Sequence, residues 1–345
     1  MPTDINSNKI LGVPGSTNII HPVSSVNPKL FISVWETKGA PETITLPYEV
    51  TGTYTGTIDW GDGNTDVNDG TITTHTYLSK GVYIVTINGT CTGWNFTLLP
   101  PGPQRNYIIS VIQWGSLRLG SDIGGQFASC RNLDLSTVSD ILNLTGITDL
   151  GNMFDSCTSL TTINNINSWD TSAITSMSSM FENCILFDQS LSFYTGAVLD
   201  MSSMFRLCLS FRGPVLFDTR NVTDMSSMFR DASVFNQPLL FDTSFVTTMF
   251  SMFRGATAFD QNIGAWNVAN CTNFINFMST KTPATFSKTN LDAIYNGWSA
   301  SGVQPSRNIS FGGTVTGAKY SAAGIAGRLV LTLAPNNWTI LDGGL

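Results

Sequence analysis

The stretch Asn221-Val-Thr-Asp-Met-Ser-Ser-Met-Phe229, followed by Phe235-Asn-Gln237 and Phe241-Asp-Thr243, recurs along the chain with small changes. Its aromatic aligns Phe127, Phe154, Phe181, Phe205, Phe229, Phe253 and Met278, at gaps of 27, 27, 24, 24, 24 and 25 residues. Met stands before the aromatic from Met153-Phe154 to Met252-Phe253, and the ends degrade to Gln126-Phe127 and Phe277-Met278. Such a fixed period predicts a solenoid over 126–279, because one unit of this size buries its apolar face only by stacking on a copy of itself.

The columns within the unit say what stacks. Three residues before the Met lie Leu150, Met177, Met201, Met225, Met249 and Phe274. Six after the aromatic come Leu133, Leu160, Phe187, Phe211, Phe235 and Phe259, and a further column holds Trp169, Phe193, Phe217, Phe241 and Trp266. Apolar residues at one phase in every unit read as a continuous core rather than a ligand box. Cys130, Cys157, Cys184 and Cys208 share a phase with Ala232 and Ala256. Cys and Ala interchange where a small buried side chain is needed, so all six cysteines are expected to be free thiols. No CxxC is present, and no zinc site is expected.

These residues resemble the BspA-like leucine-rich repeats, which include the roughly 25-residue DUF285 repeats of mycoplasma surface proteins. The tail, through Leu291-Asp-Ala-Ile-Tyr-Asn-Gly-Trp298, Lys319-Tyr-Ser-Ala-Ala323 and Trp338-Thr-Ile-Leu-Asp-Gly-Gly344, resembles the segment that often closes such arrays in phage-encoded proteins. The resemblance implies surface display and adhesion. It implies no catalysis and supplies no binding residues.

Composition narrows the partners. In 345 residues only 12% are charged, and 17 basic against 24 acidic residues leave a net charge of -7. Nucleic-acid binding needs a basic stripe and is not expected. No stretch of roughly 20 apolar residues is present, so no membrane-spanning helix is expected. The beginning, Met1-Pro-Thr-Asp-Ile-Asn-Ser-Asn-Lys-Ile10, has neither the basic region nor the apolar run of a signal peptide. With a surface-type repeat, this leads to the expectation of a virion protein that reaches the outside by cell lysis, the alternative being a bacterial cell-surface adhesin.

Ahead of the repeats, residues 1–28 are polar and punctuated by proline, and read as an extended arm with Ile10, Leu11, Val13, Ile19 and Ile20 as candidate anchors to another virion protein. Residues 29–99 read as a β-sandwich, from the alternation in Leu30-Phe-Ile-Ser-Val-Trp35, Thr43-Ile-Thr-Leu46 and Tyr83-Ile-Val-Thr-Ile87. The stretch Ile58-Asp-Trp-Gly-Asp-Gly63, then His75-Thr-Tyr77, then Gly81-Val-Tyr-Ile-Val85 resembles a PKD-type immunoglobulin-like domain, a spacer and adhesion module. Its acidic loop carries Asp59, Asp62, Asp66 and Asp69. Acids this dense can bind Ca2+, but Val67 and Thr73 break the EF-hand pattern, and the loop is read as a tight turn with solvated acids. His75 is read as a hydrogen-bonded strand residue.

Residues 100–125 are read as a linker and N-terminal solenoid cap, with Tyr107-Ile-Ile-Ser-Val-Ile112 as a strand opening the stack. Residues 280–345 form a small α/β C-terminal cap, with a helix near Thr289–Gly297 capped by Asn290 or Thr289, a second helix over Ser321–Leu331 and a last strand at Trp338–Ile340. The fold expected is therefore mainly β: an immunoglobulin-like sandwich, a leucine-rich-repeat-type solenoid and this cap.

No catalytic triad, phosphate loop or metal-ligand pattern is present, so neither an enzyme nor a cofactor is expected. One polar column stands out. Directly after the aromatic come Arg206, Arg230 and Arg254, preceded by Asp155 and Glu182. Stacked arginines repel one another unless acids offset them, and Asp200, Asp218, Asp224 and Asp242 recur at phases from which they could pair. The alternative is a cationic stripe that meets anionic glycan. The expected partners are virion proteins, through the arm and sandwich, and a host surface glycan or protein; homo-oligomerisation in the particle is compatible with this.

Overall fold

The computed structural model describes residues 27–120 and 123–345. The arm's Ile10, Leu11, Val13, Ile19 and Ile20 lie outside the described residues. The chain is mainly β, with a small helical part at its C-terminal end.

Strands come first. They are β1 (Leu30–Thr37), β2 (Glu42–Thr45), β3 (Tyr48–Tyr54), β4 (Thr57–Asp59), β5 (Thr65–Val67), β6 (Thr74–Tyr77), β7 (Gly81–Asn88), β8 (Cys91–Trp94), β9 (Ile108–Gln113) and β10 (Leu117–Arg118). Five form a sheet ordered β5-β4-β7-β1-β9, three a sheet ordered β10-β8-β3, and β2 pairs β6. The alternation in β1 and β7 places Phe31, Trp35, Val85 and Ile87 inside. There the Phe31 ring meets Trp94 of β8 edge-on at 4.9 Å, joining the two larger sheets.

The division at residue 99 does not coincide with an edge of these sheets. β9 runs antiparallel to β1, and β10 runs parallel to β8. Both also bridge to the first repeat, Ser110 to Asp134 and Arg118 to Asn143. The strand expected to open the stack is thus shared by the stack and the sheet. Phe96 continues the contact, with its ring 5.9 Å from Phe127. One apolar core runs from Phe31 to Ile340.

From 123 to 307 the units make single parallel bridges rather than strands. Asp149, Ser176, Asp200, Asp224, Thr248 and Asn273 bridge in succession. Two left-handed residues in each unit keep the extended stretch this short. One stands just before the Met: Asn152, Ser179, Ser203, Ser227 and Ser251, all at φ 55–57°. The other stands two residues after the aromatic: Ser129, Ser156, Asn183, Leu207, Asp231 and Gly255. Gly and Asn tolerate this conformation most readily, with Asp close behind; Leu207, at φ 60°, is the misfit in the column.

Backbone hydrogen bonds join each unit to the next. The Phe181 N–H donates to Met204 O at 3.0 Å, Phe205 to Met228 O at 2.9 Å and Phe229 to Met252 O at 3.0 Å. The rings follow, stacked at 5.8 Å for Phe181–Phe205, 5.5 Å for Phe205–Phe229 and 5.7 Å for Phe229–Phe253. Such pairs add about 0.5–1.5 kcal/mol each beyond burial. At the end the order inverts: Phe277 takes the Met place, its carbonyl accepting from Phe253 N–H, and its ring turns edge-on to Phe253 at 84°.

The C-terminal part closes the stack. β11 (Asn308–Ser310) pairs in parallel with β12 (Thr339–Leu341), and Ile309 bridges Phe274 of the last unit. Helix α1 (Lys288–Ser299) is capped by Ser287, whose hydroxyl accepts from Asn290 N–H, and not by Thr289 or Asn290. A hydroxyl at the residue before the helix reaches the orphan N–H three positions on. Of the Ser321–Leu331 segment, Ala322–Gly324 is a 3-10 turn and α2 spans Ile325–Thr332. Among the described residues no helix is long and apolar enough to cross a membrane.

Candidate functional site

Outside the core columns, the residue directly after the aromatic carries charge in five successive units. Core columns stay apolar because each faces a neighbour on both sides. The position after the aromatic alternates out of that core, and Asp155, Glu182, Arg206, Arg230 and Arg254 are all half-buried there. Arg206 Nη1 donates to Glu182 Oε1 at 2.8 Å, across one unit step. Arg230 Nε lies 3.3 Å from Asp231 Oδ2, and the Nε atoms of both Arg206 and Arg230 are buried without a hydrogen bond. Among the described residues Arg254 makes no ion pair. Burial, with Glu182 nearby, pushes the Asp155 carboxyl above its usual value, against the hydrogen bond from Ser156.

The acids expected to offset the arginines do something else. Asp200 and Asp224 each accept the backbone N–H two residues on, from Ser202 at 2.8 Å and Ser226 at 2.7 Å. Asp242 accepts from Ser244, and Asp218 pairs with Arg220 at 2.9 Å. They form Asx turns, which short carboxylates favour over reaching a distant guanidinium. The arginine column is offset at its first two members, by Glu182 and Asp231, and open at its third.

All six cysteines are free and buried. Burial raises the thiols of Cys130, Cys157, Cys184 and Cys208 well above their ordinary range, and pushes Cys271 up to about 12. They are poor nucleophiles. The thiols also donate backwards along the stack: Cys157 to Phe127 O at 3.1 Å, Cys184 to Phe154 O at 3.0 Å and Cys208 to Phe181 O at 2.9 Å. Apolar spacing does not reveal that role.

In the acidic loop each carboxylate bonds its own surroundings. Asp59 accepts from Gly61 N–H, Asp66 from Trp60 Nε1 and Asp69 from Thr71. His75 Nε2 lies 2.8 Å from Asp62 Oδ2, and its ring stacks on Trp60 at 4.8 Å. Burial would raise Asp62, but the hydrogen bonds from His75 and Asn64 outweigh it and hold it below its usual value. Among the described residues no three His, Cys, Asp or Glu side chains gather as metal ligands.

Two features escaped the sequence reading. Thr171, Thr195, Thr219 and Thr243 form a buried ladder, each hydroxyl donating to a carbonyl of the next unit at 2.5–3.0 Å. Lys281 is buried, and its Nζ donates to Ala256 O at 2.6 Å and Phe259 O at 2.5 Å, with Thr257 O and Thr285 O further out. It closes carbonyls at the end of the stack. Burial, only partly offset by Asp260, brings its pKa down to about 7.

No curated protein and no solved structure matches the chain. A family profile, described as Mycoplasma protein of unknown function, DUF285, matches twice, over residues 121–216 and 215–309. The two matches run head to tail over the stacked units and take in more than half of the 345 residues. On this match the chain belongs to that family, DUF285.

Proposed function

We propose that the protein is a non-enzymatic binding protein on the outside of a virion. In this reading the N-terminal sheets are a PKD-like module that, with the arm, attaches to other virion proteins. The stacked repeats are a leucine-rich-repeat-type solenoid that presents its variable side chains to a host surface glycan or protein. One observation carries the binding part: the column after the aromatic changes from Asp155 and Glu182 to three arginines while the core columns on either side stay apolar. The fold does not need guanidinium groups there, and Arg254 has no ion partner among the described residues. Half-buried charge that folding leaves unpaired is available to a ligand.

A second reading, display on a bacterial cell surface, is favoured by the description of the family as a Mycoplasma protein. Mass spectrometry of purified virus particles and of the producing cells' surface fraction separates the two. Copies in particles that survive a salt wash support the virion, and copies confined to the cell surface overturn it.

A further inference from the structure

A cavity of about 380 Å³ lies where the chain enters the first repeat. Pro101, Pro103, Arg105 and Asn106 form one wall, and Ser129 and Arg131 of the first repeat turn form the other. The volume falls in the range of small-molecule sites. In a chain of net charge -7, this cavity is lined by two guanidinium groups and no carboxylate.

The two arginines differ in how they are held. Arg105 is fixed: its Nη2 donates to Leu99 O at 2.5 Å and Thr97 O at 3.3 Å, and its Nε is buried with no partner. Arg131 is exposed, and among the described residues its side chain has neither ion pair nor hydrogen bond. Only its backbone is tied, N–H to Asn106 Oδ1 at 3.3 Å, and this joins the two walls. Asn106 Nδ2 and Ser129 Oγ likewise make no hydrogen bond among the described residues. The site offers one guanidinium held by backbone carbonyls, one exposed and without a partner among the described residues, and two neutral polar groups beside them.

We propose that this cavity binds the carboxylate of an acidic sugar. The Arg131 guanidinium, free of side-chain partners among the described residues, can offer its fork to a planar carboxylate with two parallel hydrogen bonds, while Arg105, with Nη2 taken by backbone carbonyls and Nε buried, adds positive charge and its Nη1 donor. The Asn106 amide and Ser129 hydroxyl are placed to bond ring hydroxyls, and the proline walls give the ring an apolar face. The site is separate from the arginine column, which begins at Arg206, three units further along the stack.

Isothermal titration calorimetry on the full chain tests this with sodium glucuronate, glucose and sodium sulfate as probes. Glucuronate should bind saturably, glucose should not bind, and sulfate should bind at least roughly tenfold more weakly than glucuronate. Arg131→Ala should weaken glucuronate binding by roughly tenfold or more with an unchanged melting temperature, since that side chain makes no contact the fold uses. Arg131→Lys, which keeps the charge and removes the fork, should weaken it as well. The triple variant Arg206→Ala, Arg230→Ala, Arg254→Ala should bind glucuronate like the parent, which separates this site from the column. No saturable glucuronate binding, equal binding of sulfate, or full binding by Arg131→Ala would each overturn the proposal.

Discussion

Arg206 and Glu182 stand one unit apart, and their side chains meet at 2.8 Å while 34% and 20% exposed. A pair this accessible contributes little to stability, about 0–1 kcal/mol. Glu182→Gln should therefore melt close to the parent. It should also free Arg206 and raise the unpartnered members of the column from one to two, tightening any polyanion the column binds. Melting by circular dichroism and affinity for heparin-Sepharose in a salt gradient check the two halves. A large fall in melting temperature would show that the pair holds the stack together.

The core prediction is local and large. Phe229 is fully buried and stacks on Phe205, Phe235 and Phe253. Phe229→Ala should cost about 3–5 kcal/mol. Because the core continues through Phe96 and Phe127 into the sheets, Phe127→Ala should also lower the stability of the N-terminal part. Hydrogen exchange at β1 and β9 reads this directly. Unchanged protection there in Phe127→Ala would mean that the sheets and the stack fold independently.

The thiols give a count. Titration in denaturant without reductant should find six groups, and titration of the native protein should find almost none reacting quickly, because all six are buried. Cys208→Ala should cost about 1 kcal/mol, the usual net worth of one hydrogen bond to Phe181 O together with a small loss of packing. Fewer than six thiols would reveal a disulfide.

The hydrophobic columns were legible in the sequence because apolar residues at a period of 24–27 have one physical reading. The hydrogen-bond ladders were not. That Thr195 reaches the Asp218 carbonyl, or that Ser203 and Leu207 adopt positive φ, depends on where the turns fall within the unit, and Ser, Leu and Asp do not announce a left-handed backbone. The charge pairing was misassigned for the same reason: Asp200 and Asp224 lie at pairing phases but are captured by N–H groups two residues away. Arg105 and Arg131 fall in different segments of the sequence, and the bridges from β9 and β10 to the first repeat, with the hydrogen bond from Arg131 N–H to Asn106, bring them to one cavity. Leu207 offers a test of this backbone reading. Leu207→Asn should stabilise the protein by about 0.5–1 kcal/mol, because Leu pays a steric cost at φ 60° that Asn avoids. A loss of stability would mean that packing of the Leu207 side chain outweighs the strain.

Lys281 should make stability depend on pH. Its folded pKa, about 7, lies below the ordinary 10.5. Between those values the unfolded chain holds a proton that the folded chain has released, so stability rises with pH across that window and this contribution is lost as pH falls through 7. The neutral amine still has N–H donors for Ala256 O and Phe259 O. The raised thiols act oppositely above about pH 8.5, where the unfolded chain loses protons first. Denaturant unfolding from pH 6.5 to 8.5 should therefore show a positive slope in the parent that Lys281→Met abolishes. Equal slopes would mean that Lys281 keeps an ordinary pKa.

Binding through the arginine column is tested most directly on an array of acidic and neutral surface polysaccharides, at about 0.05 and 0.5 M salt. The parent should bind acidic polysaccharides at low salt and lose most of that binding at high salt, as screening of exposed charge requires. The variant Arg206→Ala, Arg230→Ala, Arg254→Ala should melt within about 1 kcal/mol of the parent and bind at least tenfold more weakly. Undiminished binding by the folded triple variant, or binding by the parent that is indifferent to salt and to polysaccharide charge, would contradict the account.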